Sequence, residues 1–129
     1  MAIEAIVTDK APAALGPYSA AVTAPATKAI HVSGQLPIDP ATGELAGETA
    51  GEQAAQSLKN IASILAAAGT DMTRVVRATI YLKNVDDFAE VNARYAEVFT
   101  GSVKPARCAF GGNEIPKGAL VEIDAIAAL

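Results

Sequence analysis

The stretch KPARCAFGGNEIPKGALVEIDAIAAL, Lys104 to Leu129, decides the fold. From Leu120 onward the residues alternate with the two-residue period of a strand. Val121, Ile123, Ala125 and Ala127 fall on one face, and Leu120, Glu122, Asp124 and Ile126 on the other. Four aliphatic residues on one side call for a core beneath them, while the second side carries two carboxylates. Upstream, Ala106 to Phe110 is short and apolar except for Arg107. Gly111-Gly112, Pro116 and Gly118 then read as a loop that lays the last strand beside this one. Antiparallel pairing of the two strands would let Arg107 and Glu122 line one pocket. Arginine offers a planar five-donor cation that grips a carboxylate through two bonds, and glutamate can take or give a proton. The same pair also reads as a cross-strand ion pair or a solvated face, worth ~0–1 kcal/mol.

Working outward, Arg74 to Lys83 sets Val76, Ala78, Ile80 and Leu82 against Arg77, Thr79, Tyr81 and Lys83, which predicts a long strand with one dry face. A helix is expected on each side of it. The first begins at Thr49-Ala50-Gly51-Glu52, a capping box, runs through Ala54, Leu58, Ile61, Leu65 and Ala68, and stops at Gly69. The second starts near Asp86-Asp87, with Asp87 and Glu90 placed for another box and Phe88, Val91, Tyr95, Val98 and Phe99 as its apolar stripe. Asn92 lies beside that stripe. Toward the N-terminus, Ser19 to Ala24 and Lys28 to Ser33 read as strands around a turn at Pro25, and Ile3 to Thr8 as an edge strand. Tyr18 follows the Gly16-Pro17 turn as a packing anchor or a pocket wall. Ser33-Gly34 ends its strand, where glycine admits a close backbone approach.

The order is α+β, with two helices on one face of a single sheet and nothing left to cover the other. A chain of 129 residues makes one domain, 1–129, that buries roughly two-thirds of its unfolded surface. Apolar residues form 51% of it, yet aromatics only 5% and Trp none, so small aliphatic side chains build the core. That apolar excess on a small body predicts self-association through the bare face.

Net charge is −4 and the ten basic residues are scattered, which argues against a nucleic-acid partner. His31 and Cys108 are each the sole residue of their type, so no metal site and no internal disulfide are expected. No stretch has the apolar length to span a bilayer and no leader is evident, which predicts a soluble cytoplasmic protein.

Several blocks together resemble a known family: GPYSAAV at 16–22, HVSGQLPIDPATGEL at 31–45, VNARY at 91–95, PAR at 105–107 and IPKGALVEIDAIA at 115–127. They are similar, in order and spacing, to the reactive intermediate deaminase family (RidA, also YjgF/YER057c/UK114), known too as endoribonuclease L-PSP-like proteins. The resemblance covers nearly the whole chain. It implies a chorismate-mutase-like single mixed sheet, a homotrimer with a site in each intersubunit cleft, and hydrolysis of 2-imino acids to 2-keto acids and ammonia without a cofactor. It assigns the substrate carboxylate to Arg107 and water activation to Glu122, with Tyr18, Ser33, Gly34 and Asn92 around the pocket. Where many members carry a cysteine, this chain has Ala109, and Cys108 stands one residue earlier on the opposite side of an extended strand. The 100–104 loop also looks short for the family. A keto-acid-binding protein without turnover, and a ribonuclease or translation inhibitor, are the alternatives.

Overall fold

The computed structural model describes residues 2–129. Strand β1 (Ala5–Ile6) is short, β2 (Ala21–Ala24) and β3 (Ala29–Gln35) form a hairpin, and helix α1 (Ala50–Ala67) follows. Then come β4 (Val75–Leu82), α2 (Phe88–Val98), β5 (Ala106–Phe110) and β6 (Val121–Ala128). They make one six-stranded sheet in the order β1-β2-β3-β6-β4-β5. Every neighbouring pair is antiparallel except β4 and β5, which are parallel.

The final strand is central because its dry face is the most continuous in the chain. Val121, Ile123, Ala125 and Ala127 are all buried, while the residues between them are half-buried on the opposite side. Beneath them lie Leu58, Ile61, Ile64 and Leu65 of α1 and Val91 and Tyr95 of α2. Burying each large aliphatic side chain contributes ~1.5–3 kcal/mol.

Helix α1 starts as the sequence predicts. Thr49 Oγ1 accepts from the Glu52 amide at 3.2 Å, and Glu52 Oε1 accepts from the Thr49 amide at 3.3 Å. Two of its buried polar residues are engaged, while the Ser57 hydroxyl has no partner among the described residues. Gln53 Nε2 donates to the Gly47 carbonyl while its Oε1 accepts from the Leu120 amide, and Asn60 donates to the carbonyls of Leu36 and Ile38. These bonds fasten the segments that enter β6 and leave β3 to the helix.

Four expectations change. The 106–110 strand does not lie beside β6, because α2 carries the chain over one sheet face and returns β5 parallel to β4, on the outer edge. The loop that follows wraps the end of β4: Gly112 and Asn113 donate their amides to the carbonyls of Lys83 and Leu82. Gly111 permits this, since a Cβ there would stand 2.7 Å from the Val85 nitrogen. In β4, a register irregularity between Val75 and Arg77 turns Val75 inward and leaves Val76 53% exposed. Val98 of the predicted α2 stripe is exposed as well, because the helix ends there and Phe99 beyond it takes the buried place. Asp87 and Glu90 form no capping box. Glu90 Oε1 instead accepts from the Gly51 amide at 3.2 Å, reaching the positive end of α1.

Both helices lie on one face, and His31, Val76 and Phe110 are exposed on the bare one or along its edge. No helix of the described residues is long and apolar enough to cross a membrane.

Candidate functional site

The expected site residues fall into two groups on opposite faces of the sheet. Arg107 stands across from Ala78, whose side chain is buried on the helix face, so Arg107 points to that face at the sheet edge. There α2 receives it. The guanidinium carbon lies 5.2 Å from the Phe88 ring centroid and 4.8 Å from that of Tyr95, and Nη1 donates to Asn92 Oδ1 at 2.6 Å. Phe88, Asn92 and Tyr95 share one side of α2 because they are spaced four and three residues apart. Two rings and one amide thus fix the plane of a cation that remains solvent-exposed. It borders a cavity of ≈ 420 Å³ together with Asn92, Tyr95, Phe99 and Lys104. Ala109, opposite Ile80, shares the Arg107 face, while Cys108, opposite Thr79, is exposed on the other. The displaced thiol is where the alternation of the sequence puts it.

Glu122 stands opposite Tyr81 on the bare face. The Gly34 backbone passes so close that a Cβ added there would overlap the Glu122 carboxylate. Burial pushes the Glu122 carboxyl above its ordinary range, and the charge of Asp124 pushes it further. Gly34, Tyr81, Asn113, Glu114, Glu122 and Asp124 border a cavity of ≈ 270 Å³. Across Gly34 lies an apolar cleft of ≈ 360 Å³ bordered by Tyr18, Leu15, Leu36 and Ile38. Ser33 does not offer a free hydroxyl, since its Oγ donates to the Ser19 carbonyl at 2.6 Å and ties β3 to the segment that carries Tyr18.

One copy of the chain therefore joins Arg107 with Asn92 and Ala109, and separately Glu122 with Gly34 and, beyond it, Tyr18. It does not bring Arg107 and Glu122 to one pocket. That expectation rested on β5 pairing with β6, and β4 lies between them.

The sequence reading placed Tyr81 and Asp124 on polar strand faces without giving them a role. In the structure Tyr81 Oη donates to Asp124 Oδ2 at 3.0 Å, and burial, followed by that bond, raises the Tyr81 pKa. That each lies on the polar face of a strand was legible, but not that the two strands are neighbours or which residues stand opposite each other. Phe88 and Tyr95 were read as core alone, and only the position of β5 turns them into the seat of a cation. Among the described residues no group of three or more His, Cys, Asp or Glu is arranged to hold a metal ion.

Comparison with known proteins gives a consistent result. The family model described as Endoribonuclease L-PSP matches residues 8–129. The chain is 51% identical over 122 residues to the 2-iminobutanoate/2-iminopropanoate deaminase of Bos taurus, covering 95% of this chain and 87% of that one. It is 47% identical over 127 residues to Protein DfrA of Myxococcus xanthus, covering 98% and 96%. A solved structure of a conserved Rid-family protein, YyfA from Yersinia pestis, superposes with a TM-score of 0.94 at 41% identity, covering 99% and 100%. TdcF of E. coli, solved with bound serine, superposes at 0.90 with 33% identity and 98% of each chain covered.

Proposed function

The chain belongs to the endoribonuclease L-PSP family, the Rid proteins, and from that premise we propose that it hydrolyses 2-imino acids such as 2-iminobutanoate and 2-iminopropanoate. The observation that carries this reading is the guanidinium of Arg107, exposed yet held in one plane by Phe88, Tyr95 and Asn92. A cation so prepared suits a small carboxylate, which it can take through two parallel bonds.

The reaction also needs an acid/base group, and Glu122 fits it. A carboxyl lifted toward neutrality by burial accepts a proton from water more readily than an ordinary one. Water adds its oxygen to the imine carbon as Glu122 takes the proton. Glu122 returns that proton to nitrogen, giving a carbinolamine. It then carries the remaining hydroxyl proton to the amino nitrogen as the C–N bond breaks and the C=O bond forms, so that ammonia leaves behind a 2-keto acid. Positioning and one acid/base group suffice for such a substrate, the latter contributing ~10²–10⁴-fold.

Since the two groups sit on opposite faces of one chain, the site is assigned to the cleft between two copies. Arg107, at the β5 edge of one copy, meets Glu122 on the bare face of the next in a homotrimer. A relative of the same fold was solved with serine, a small amino acid, bound. That observation favours a second reading, small-carboxylate binding without turnover. The acidic balance and scattered basic residues leave RNA cleavage last.

The test is keto-acid and ammonia release from 2-iminobutanoate generated in situ. Wild-type protein is expected to exceed buffer, and Arg107→Ala to lose about 100-fold or more in kcat/KM. Mixing Arg107→Ala with Glu122→Gln chains should restore activity in about a quarter of the sites if each site draws on two copies. A wild-type rate equal to buffer, with keto-acid binding by calorimetry, would leave the binding reading. No recovery on mixing would defeat the shared site.

A further inference from the structure

We propose that Asp124, held by Tyr81 and Thr79, is a positioning residue that acts through Glu122 without touching substrate. The proposal rests on the deaminase reading for its catalytic consequence and on the structure of the bare face for its geometry. Asp124 stands two residues beyond Glu122 on the same side of β6, so the two carboxylates are next neighbours along one strand face. Both oxygens of Asp124 are engaged. Oδ1 accepts from the Thr79 amide at 3.1 Å, and Oδ2 accepts from Tyr81 Oη at 3.0 Å. The donors come from two consecutive outward-facing residues of β4. Thr79 stands opposite Asp124, and Tyr81 stands opposite Glu122 and reaches diagonally across. The Tyr81 ring is itself held edge-on by Phe110, with centroids 5.5 Å apart.

Two donors hold the Asp124 carboxylate in place and leave it unable to turn away. Glu122 is differently placed: among the described residues no hydrogen bond ends on its carboxylate, and the Gly34 backbone closes one side. A fixed negative charge therefore stands beside a carboxyl that has nothing else to stabilise its own negative form. The groups facing Glu122 from each element bear this out. Strand β4 presents the Tyr81 hydroxyl, β6 presents Asp124, and the loop before β6 presents Glu114 on the far side of the cavity. Strand β3 presents only Gly34 there, its His31 lying opposite Ile126 further along β6. Among the described residues no cation of the same chain borders that cavity, and Arg77 of β4 lies opposite Ile126, further along. In the proposed assembly the neighbouring copy brings Arg107 to the cavity, where its partner is the substrate carboxylate. Asp124 thus keeps Glu122 from becoming a plain acceptor for that arginine and holds it as a proton carrier.

The experiment is the pH dependence of kcat/KM for 2-iminobutanoate, with a carbon-13 titration of the Glu122 carboxyl in the same proteins. Asp124→Asn keeps the shape and can keep both contacts, but removes the charge. Its acid limb and its Glu122 titration should both move to lower pH, with the plateau rate within about threefold of wild type. Tyr81→Phe frees one oxygen of Asp124 to water and should move both in the same direction by less. Unchanged Glu122 titration in both variants would overturn the proposal, whatever the turnover. So would a plateau loss of 100-fold in Asp124→Asn with an unmoved limb, since Asp124 would then act on the substrate. A wild-type protein that does not turn over, yet shows the displaced titration, would retire the deaminase reading and the catalytic role of Asp124 with it, leaving only the Asp124–Glu122 coupling.

Discussion

Replacing Gly34 with alanine should separate catalysis from stability at a single atom. A Cβ at this position would overlap Oε2 of Glu122, and it would lie 3.0 Å from Cδ and 3.4 Å from Cγ of the same side chain. No backbone atom is among the nearest contacts, so the movable carboxylate yields and the strand does not. Gly34 does not occupy the left-handed region, since the positive-φ glycines lie elsewhere. Alanine is therefore allowed, and restricting the unfolded chain contributes ~0.4–1 kcal/mol in favour of the fold. The carboxylate must retreat by about 1 Å, and a misplacement of that size costs ~10²-fold in rate, equivalent to ~2.7 kcal/mol of barrier. The loss should fall on kcat more than on KM, because Arg107 and its three supports are untouched. Keto-acid release gives the rates and a circular-dichroism melt gives the stability. Activity within threefold of wild type, or a melting temperature lowered by several degrees, would show that Glu122 is not placed by Gly34 as argued.

Glu122→Gln should be at least as stable as wild type at neutral pH. The folded-state pKa of Glu122 is raised, so the wild-type chain loses stability as pH climbs from the ordinary carboxylate range through the raised value, and the whole penalty is present above it. Chemical denaturation should therefore show the variant's relative advantage at pH 7 fading below about pH 4, and an advantage independent of pH would contradict the assigned cause. Thr49→Ala removes the acceptor for the Glu52 amide and half of the capping box. It should cost ~1 kcal/mol in a urea titration with no change in m-value or in kcat/KM.

The sequence by itself determined the elements and most of their faces, Val76 and Val98 excepted. Alternation in 120–127 and the capping box at Thr49 are local signals, because a strand's two-residue period and a helix's first orphan amides involve only residues near in the chain. The residue types at 107 and 122 were likewise plain, and the order of motif blocks pointed to the family that the comparisons then showed. The neighbours of each strand were decided only by the tertiary structure. Whether β5 lies beside β6 or beyond β4 depends on where α2 crosses the sheet, and no local pattern records that. That choice sends Arg107 to the helix face and into the grip of Phe88, Asn92 and Tyr95, and leaves Glu122 on the bare face with Tyr81 and Asp124. Glu90 shows the same limit at smaller scale: its spacing from Asp87 fitted a cap, but the amide it satisfies belongs to a helix 39 residues away. Long-range partners are selected by packing free energy summed over the whole sheet, which a window of a few residues does not contain.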